Sequence, residues 1–279
     1  MYLVYNSVLS PLSDFGVDVE DRAFQYGDGL FETLRYQGGR VAFWPDHYDR
    51  LRRGMAACRL DPPADFTSGA LHGQLLALLD RNELTGRTAR IKIQVWRQPG
   101  GLYTPTNNRA NILITARLGQ PFTVSERERL GIFEGVRLSP SVVSAYKTTS
   151  ALPYVLAGLA KQDGGFDDML LLDTHGHVAE CIASAVFWVR GETLWMPSLQ
   201  TGCIDGILRR QLLRLAPELG FQVREGLFSP EEVAADAVFC GNVMGIQRFG
   251  AVNGLAVNQK KPLNAGVEQN LTALFRRLV

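Results

Sequence analysis

The chain has 279 residues, 46% of them hydrophobic, enough to bury one large or two modest cores, and two are expected. Lys and Arg number 29 against 28 Asp and Glu, a net charge of +1, so overall charge offers no attraction to nucleic acid or to a membrane surface. Residues Met1 to Ser10 lack a basic flank followed by a long apolar run, and no stretch nears the roughly 20 apolar residues of a membrane span; a soluble cytoplasmic protein is expected.

Leu30 to Phe43 contains two short extended runs joined by Gln37-Gly38-Gly39-Arg40, and paired glycines supply the positive φ of a tight hairpin turn. After Pro45, apolar residues recur at Tyr48, Leu51, Met55 and Cys58, one stripe of a helix, with Arg50 just off the buried face. A second helix is predicted over Phe66 to Leu79. Ala89 to Val95 alternates apolar and polar residues, as a strand with one buried face does, and Ala110 to Ala116 is its predicted partner. Periodicity lapses around Arg117 to Val124, which contains Gly119 and Pro121, so the domains are predicted as 1–117 and 125–279 with 118–124 as linker.

The second half offers strands near Gly131 to Leu138, Met169 to Asp173, Val178 to Cys181, Ala185 to Val189 and Ala237 to Cys240. Helices are predicted from Thr149 to Gln162 and from Asp205 to Leu219, with Asp205 as N-cap. Ser229-Pro230-Glu231-Glu232 combines a capping box with proline at the first helical position, and Val267 to Leu278 is amphipathic. Strands and helices mix without strict βαβ alternation, which makes the fold class α+β.

Little in the sequence matches the commonest catalytic signatures. The glycine pairs at 38–39, 100–101 and 164–165 form neither GxGxxG nor a P-loop, and no GxSxG or HExxH is present. Cys58, Cys181, Cys203 and Cys240 are scattered, with no CxxC pair, and are expected as reduced thiols. His175 and His177 lie in the turn-like Thr174-His175-Gly176-His177; no third ligand is suggested nearby, so no metal is expected and a solvated turn is the better account.

Two charged residues stand in apolar settings. Lys147 lies between a strand end and a helix start, where its amine could reach a cleft or simply be solvated. Glu180 is the single acid in Val178-Ala179-Glu180-Cys181-Ile182-Ala183-Ser184-Ala185-Val186-Phe187-Trp188; such a carboxylate needs a partner, which a structural salt bridge would also supply.

Five segments in order and spacing resemble the class IV pyridoxal-phosphate aminotransferase and lyase family, over about Met1 to Asn253. They are Asp21-Arg22-Ala23-Phe24-Gln25-Tyr26-Gly27-Asp28-Gly29-Leu30-Phe31-Glu32-Thr33, His47-Tyr48-Asp49-Arg50-Leu51, Lys147, Glu180 and Gly206-Ile207-Leu208-Arg209. The resemblance implies a two-domain fold of the D-amino acid aminotransferase-like type, with the cofactor site between the domains, and a homodimer. It further implies that pyridoxal 5′-phosphate is held by Lys147 as Schiff-base lysine and by Glu180 at the ring nitrogen. Arg50 and the amides of Ile207 and Leu208 would hold the phosphate. A lysine amine desolvated in a pocket loses its proton readily and can then act as general base and acid. A carboxylate beside the ring nitrogen keeps a pyridinium protonated as an electron sink, and a dianion is held best by a cationic fork and helix-terminal amides.

The substrate implied is a small amine or amino acid, with Tyr26, Phe31, Arg97 and Tyr103 as candidate contacts. D-amino acid aminotransferases carry an arginine for the substrate carboxylate where this chain has Leu102, and most transaminases have threonine where it has Leu208. Cys181, Phe187-Trp188 and Phe239-Cys240-Gly241-Asn242-Val243-Met244 also look like the aminodeoxychorismate lyases, whose product feeds folate biosynthesis. Against this, Ser150 and Ala151 replace an asparagine and arginine common in the lyases, and Ala185 replaces a common asparagine. The resemblance points first to a lyase eliminating pyruvate from 4-amino-4-deoxychorismate to give 4-aminobenzoate; the alternatives are a transaminase for branched-chain or D-amino acids and a non-catalytic cofactor-binding or structural dimer.

Overall fold

The computed structural model describes residues 1–233, 235–253, 255–256 and 263–279. The chain divides into two units: Met1–Pro121 with Tyr146–Ser150, and Phe122–Ala145 with Ala151–Val279.

The first unit is built on β1 (Tyr2–Tyr5), β2 (Val8–Pro11), α1 (Arg22–Tyr26), β3 (Gly29–Gln37), β4 (Arg40–Val41), α2 (Trp44–Ala57), α3 (Ser68–Arg81), β5 (Ala89–Arg97) and β6 (Ala110–Leu118). Its strands form one antiparallel sheet in the order β2-β1-β6-β5-β3-β4. The predicted hairpin is present, with Gly38 and Gly39 at φ +60° and +78°. Alternation along the strands sends Leu30 and Leu34, Ile91 and Ile93, and Ile112 and Ile114 to one face, where they meet Leu51 and Met55 of α2 and Leu71, Leu75 and Leu78 of α3. Thr67 caps α3 by accepting a hydrogen bond from Ala70 N at 3.1 Å.

The second unit comprises β7 (Thr123–Leu138), α4 (Leu152–Gly164), β8 (Asp168–Asp173), β9 (Val178–Cys181), β10 (Ala185–Arg190), β11 (Thr193–Pro197), α5 (Ile207–Leu215), β12 (Gln222–Gly226), β13 (Ala237–Asn242), β14 (Gly245–Val252), β15 (Leu255–Ala256) and α6 (Ala265–Arg276). The nine described strands make a mixed sheet, in the order β12-β11-β10-β13-β14-β7-β8-β9 with β15 on β14. β8 is buried on both faces: Leu170 and Leu172 enter one apolar cluster with Trp188, while Met169 and Leu171 enter another with Ala157 of α4. That double burial explains its unbroken apolar run.

Several predicted boundaries differ. The helix expected from Thr149 begins at Leu152. The helix expected from Asp205 to Leu219 runs only from Ile207 to Leu215, because Pro217 has no amide to continue it and starts a separate 3-10 turn. Asp205 is not its N-cap; Gly206 is, and the Asp205 carboxylate pairs with Arg210 at 2.7 Å instead. Half of the capping box at Ser229 exists, since Ser229 N donates to Glu232 Oε2 at 2.8 Å, but β13 begins at Ala237 and only a single turn, Pro230–Val233, fits before it. Strands β1, β2, β11, β12 and β14 were not legible, β12 because its exposed, polar residues carry no alternation. Among the described residues no helix is long and apolar enough to cross a membrane.

Candidate functional site

In the first unit, α2 and β3 bring three titratable groups together inside the core. Glu32 shares the apolar face of β3 with Leu30 and Leu34, and His47 and Arg50, three residues apart on α2, meet it from above. Arg50 donates to Glu32 through Nε at 2.7 Å and Nη2 at 2.6 Å, and His47 Nδ1 lies 2.7 Å from Glu32 Oε2. All three are at most 4% exposed, so Arg50 belongs to the buried face rather than just off it. Burial by itself would raise the Glu32 pKa, but the Arg50 charge and the His47 and Arg50 hydrogen bonds outweigh it and hold the carboxyl at about 2. Burial lowers His47, against the pull of Glu32; the neutral ring then donates Nδ1–H to Glu32, and its Nε2 has no hydrogen-bond partner among the described residues. Glu32 grips two guanidinium nitrogens of Arg50 and fixes the plane of the group.

Lys147 reaches this unit because its segment adds to the free edge of β3. Phe31 N donates to Lys147 O at 2.8 Å, Thr149 N donates to Gly29 O at 2.9 Å, and Leu30 bridges Thr148. The Lys147 ammonium sits 4.8 Å over the Phe31 ring, and so does that of Lys92. Burial, then the neighbouring Arg90 and Arg117, lowers the Lys92 pKa. Of the proposed substrate contacts, Phe31 therefore adjoins Lys147. Tyr26 and Tyr103 pair with ring centroids 5.6 Å apart, and Arg22 lies over Tyr26 while its Nη1 holds the carbonyls of Gly100, Gly101 and Leu102.

Arg97 has a different task. Nε and Nη2 donate to Asp28, Nη1 to Arg59 O and Asn108 Oδ1, and Nη2 also to Cys58 O. All five donors of the guanidinium are used, so this residue ties β5 to the end of α2 and offers nothing to a substrate. Leu102, in the place where one branch of the family has an arginine, is 75% exposed.

In the second unit, Glu180 on β9 is 4% exposed. Tyr154 of α4 donates its hydroxyl to Glu180 Oε1 at 2.7 Å, and Ile204 N donates to Oε2 at 3.2 Å. Burial and the adjacent Glu180 charge push the Tyr154 phenol well above its ordinary value, so it stays a donor. Ile207 and Leu208 form the first turn of α5, whose N-cap Gly206 supplies no side-chain hydrogen bond. Leu208 turns its side chain inward: a Cβ at Gly241 would come within 2.6 Å of Leu208 Cδ2. What the first turn presents to an anion is therefore backbone amide and helix dipole. Arg209 follows, paired with Glu225 and 3.7 Å from Asp205, its buried Nε without a partner among the described residues. Glu180, Cys203, Ile204 and Arg209 border a cavity of about 10 Å³, room for a single water.

These features fit the implied cofactor in kind. A buried, doubly anchored carboxylate suits a protonated ring nitrogen, and an α5 terminus without a side-chain cap suits a phosphate. Sequence reasoning quoted Glu32 and His47 within the family segments without giving them a role, and it did not single out Tyr154 or Lys92. A usable signal existed for the first two, an acid at an apolar position of an alternating strand and a histidine one turn before Arg50. None marked Tyr154, because its partner lies 26 residues away. Beside His175 and His177 stands the Asp173 carboxylate, which the sequence reading did not join to them.

A sequence model of the family described as amino-transferase class IV matches residues 29–252. The chain is similar to an aminodeoxychorismate lyase from Vibrio harveyi, 26% identical over 252 residues, covering 88% of this chain and 89% of that one. It is also similar to a branched-chain-amino-acid aminotransferase from Escherichia coli, 26% identical over 288 residues, covering 98% and 93%. The crystal structure of a branched-chain aminotransferase from Thermoproteus uzoniensis with norvaline shares the fold, with a TM-score of 0.88 at 23% identity, covering 100% of this chain and 94% of that one.

The Glu32 cluster makes the first unit acid-sensitive. Below pH 4.5 the unfolded chain binds a proton at Glu32 that the folded chain refuses until about pH 2, so stability is lost as pH falls through that window. Its full size is about 3 kcal/mol. The buried neutral His47 adds a loss that begins below pH 6.5, where the unfolded imidazole takes up a proton. Urea denaturation of wild type between pH 7 and 3 should show the decline. Glu32→Gln should cost about 3 to 5 kcal/mol at pH 7, by removing the carboxylate charge that faces buried Arg50, and should flatten the decline below pH 4.5. A parallel pH dependence in the variant would contradict this account.

Proposed function

The chain belongs to the class IV amino-transferase family of pyridoxal-phosphate enzymes, and from that premise we propose that it is a lyase eliminating pyruvate from 4-amino-4-deoxychorismate to leave 4-aminobenzoate. The observation that carries the choice of reaction is the substrate side of the first unit. Leu102 cannot bind a carboxylate, and the nearby Arg97 has every donor engaged in the fold. A transaminase that clamps its amino acid through an arginine here would lack the clamp. The similarity to the Vibrio harveyi lyase and the apolar Leu208 point the same way.

We assign the cofactor to Lys147, Glu180, Arg50 and the Ile207 and Leu208 amides. Bound pyridoxal phosphate supplies an electron sink for the electrons released at the substrate's amine-bearing carbon. Glu180, held by Tyr154 and Ile204 N, would pair with the protonated ring nitrogen. Arg50, clamped by Glu32, would hold the phosphate. The Lys147 amine takes the proton from the amine-bearing carbon, and departure of enolpyruvate from the neighbouring carbon leaves an aromatic ring. Phe31 backs the lysine, and Tyr26 and Tyr103 contact the substrate. The same reading carries a cytoplasmic homodimer. Leu152, Val155, Leu156 and Leu159 recur at i, i+3, i+4 and i+7 on α4 and are 66%, 55%, 39% and 52% exposed, an apolar stripe suited to a second copy.

Incubation with 4-amino-4-deoxychorismate and no keto acid should release 4-aminobenzoate, and Lys147→Ala should abolish it. A silent assay, together with a shift of cofactor absorbance toward the near ultraviolet on adding leucine or a D-amino acid, would transfer the assignment to a transaminase, consistent with the Escherichia coli similarity. Tyr154→Phe should weaken pyridoxal phosphate binding to the apoprotein about tenfold, the worth of one hydrogen bond to a charged group; unchanged affinity would remove Tyr154 from the site. Leu156→Glu with Leu159→Glu should convert a dimer into monomer in sedimentation velocity, whereas an unshifted dimer would place the interface elsewhere.

A further inference from the structure

We propose that Asp173, His175 and His177 form a binding site for a divalent transition metal, with Zn²⁺ as the reference ion, on the turn between β8 and β9. Each residue offers one ligand atom, and these atoms all lie within 4.8 Å of one another. A four-coordinate ion with bonds of about 2.0 to 2.1 Å needs neighbouring ligand atoms about 3.3 Å apart. Binding an ion would draw the ligand atoms to that spacing.

The turn is built to hold the group in place before an ion arrives. Asp173 is 2% exposed, and its Oδ1 accepts hydrogen bonds from His175 N and His177 N, both at 2.8 Å. That leaves Oδ2 directed at His177 Nδ1, 2.9 Å away. Asp173 N donates to His177 O at 2.8 Å, and Gly176, at φ +88°, lets the chain reverse. The two imidazoles come to lie with ring centroids 6.0 Å apart and planes at 32°.

Two imidazoles and one carboxylate suit Zn²⁺, Co²⁺, Ni²⁺ or Cu²⁺ rather than Mg²⁺ or Ca²⁺, which prefer oxygen shells. His175 is exposed and His177 half-buried, so an ion enters from solvent and keeps water in its remaining positions. A second cluster, Asp168, Cys181 and Cys240, is wholly buried, and burial raises both the Asp168 and Cys181 groups, so it lacks an entry path and ready anions. The turn leads directly into β9, three residues before Glu180, so a bound ion clips shut the hairpin that carries that carboxylate.

The test uses the tag-free full chain, stripped with chelator, and Zn²⁺ in competition with a chromophoric chelator. Wild type should take one Zn²⁺ per chain with a Kd of about 1 to 10 μM. His175→Ala and His177→Ala should each weaken it about tenfold or more, while His72→Ala should bind as wild type does. Thermal unfolding should rise with Zn²⁺ for wild type and stay fixed for His175→Ala. His175 is exposed, so its replacement leaves folding intact and decides the matter if a change at Asp173 does not fold. Binding no tighter than about 1 mM, or equal affinity in His175→Ala, would overturn the site.

Discussion

A carboxylate can be kept in a protein interior only where its charge is answered, and that constraint organises both units. Glu32 would be intolerable among the leucines of β3 without Arg50 and His47, and Glu180 would be so on β9 without Tyr154 and Ile204 N. In each case the partner comes from a different element, a helix in the first unit and a helix plus a backbone turn in the second. The charge thereby fixes how the elements must pack, because a small slide of α2 along β3 would separate a bidentate pair that has no solvent to replace it.

The same logic sorts the arginines. Arg50 is gripped through Nε and Nη2 by Glu32, which orients the guanidinium. Arg97 is surrounded on all sides and is structural. Arg22 holds the carbonyls of residues 100–102, and so sets where Leu102 and Tyr103 emerge. Three arginines close in sequence to family motifs thus do three different things, and only their donors' partners tell them apart.

Lys147 owes its place to backbone hydrogen bonds rather than to its own side chain. The segment from Tyr146 to Ser150 leaves the neighbourhood of its sequence and adds to the edge of β3, far away in the chain. Its amine is set over Phe31 by main-chain pairing, which needs no particular side chain beyond a residue that can extend. The start of α5 is likewise defined by main chain, since its N-cap Gly206 supplies no side-chain hydrogen bond.

From its residues alone the chain specified the hairpin at Gly38-Gly39, the stripes of α2 and α3, the alternating β5 and β6, and the apolar run of β8, because these depend on neighbours a few positions apart. The α+β class and the family motifs around Arg50, Lys147, Glu180 and Ile207 were equally legible. Long-range pairing was not: that Glu32 answers Arg50, that Tyr154 reaches Glu180, that Arg97 is consumed by Asp28 and the carbonyls of Cys58 and Arg59, and that Asp173 joins His175 and His177 in one cluster. Each requires knowing which side chains two elements present to each other, and local periodicity fixes a face without naming what will be packed against it.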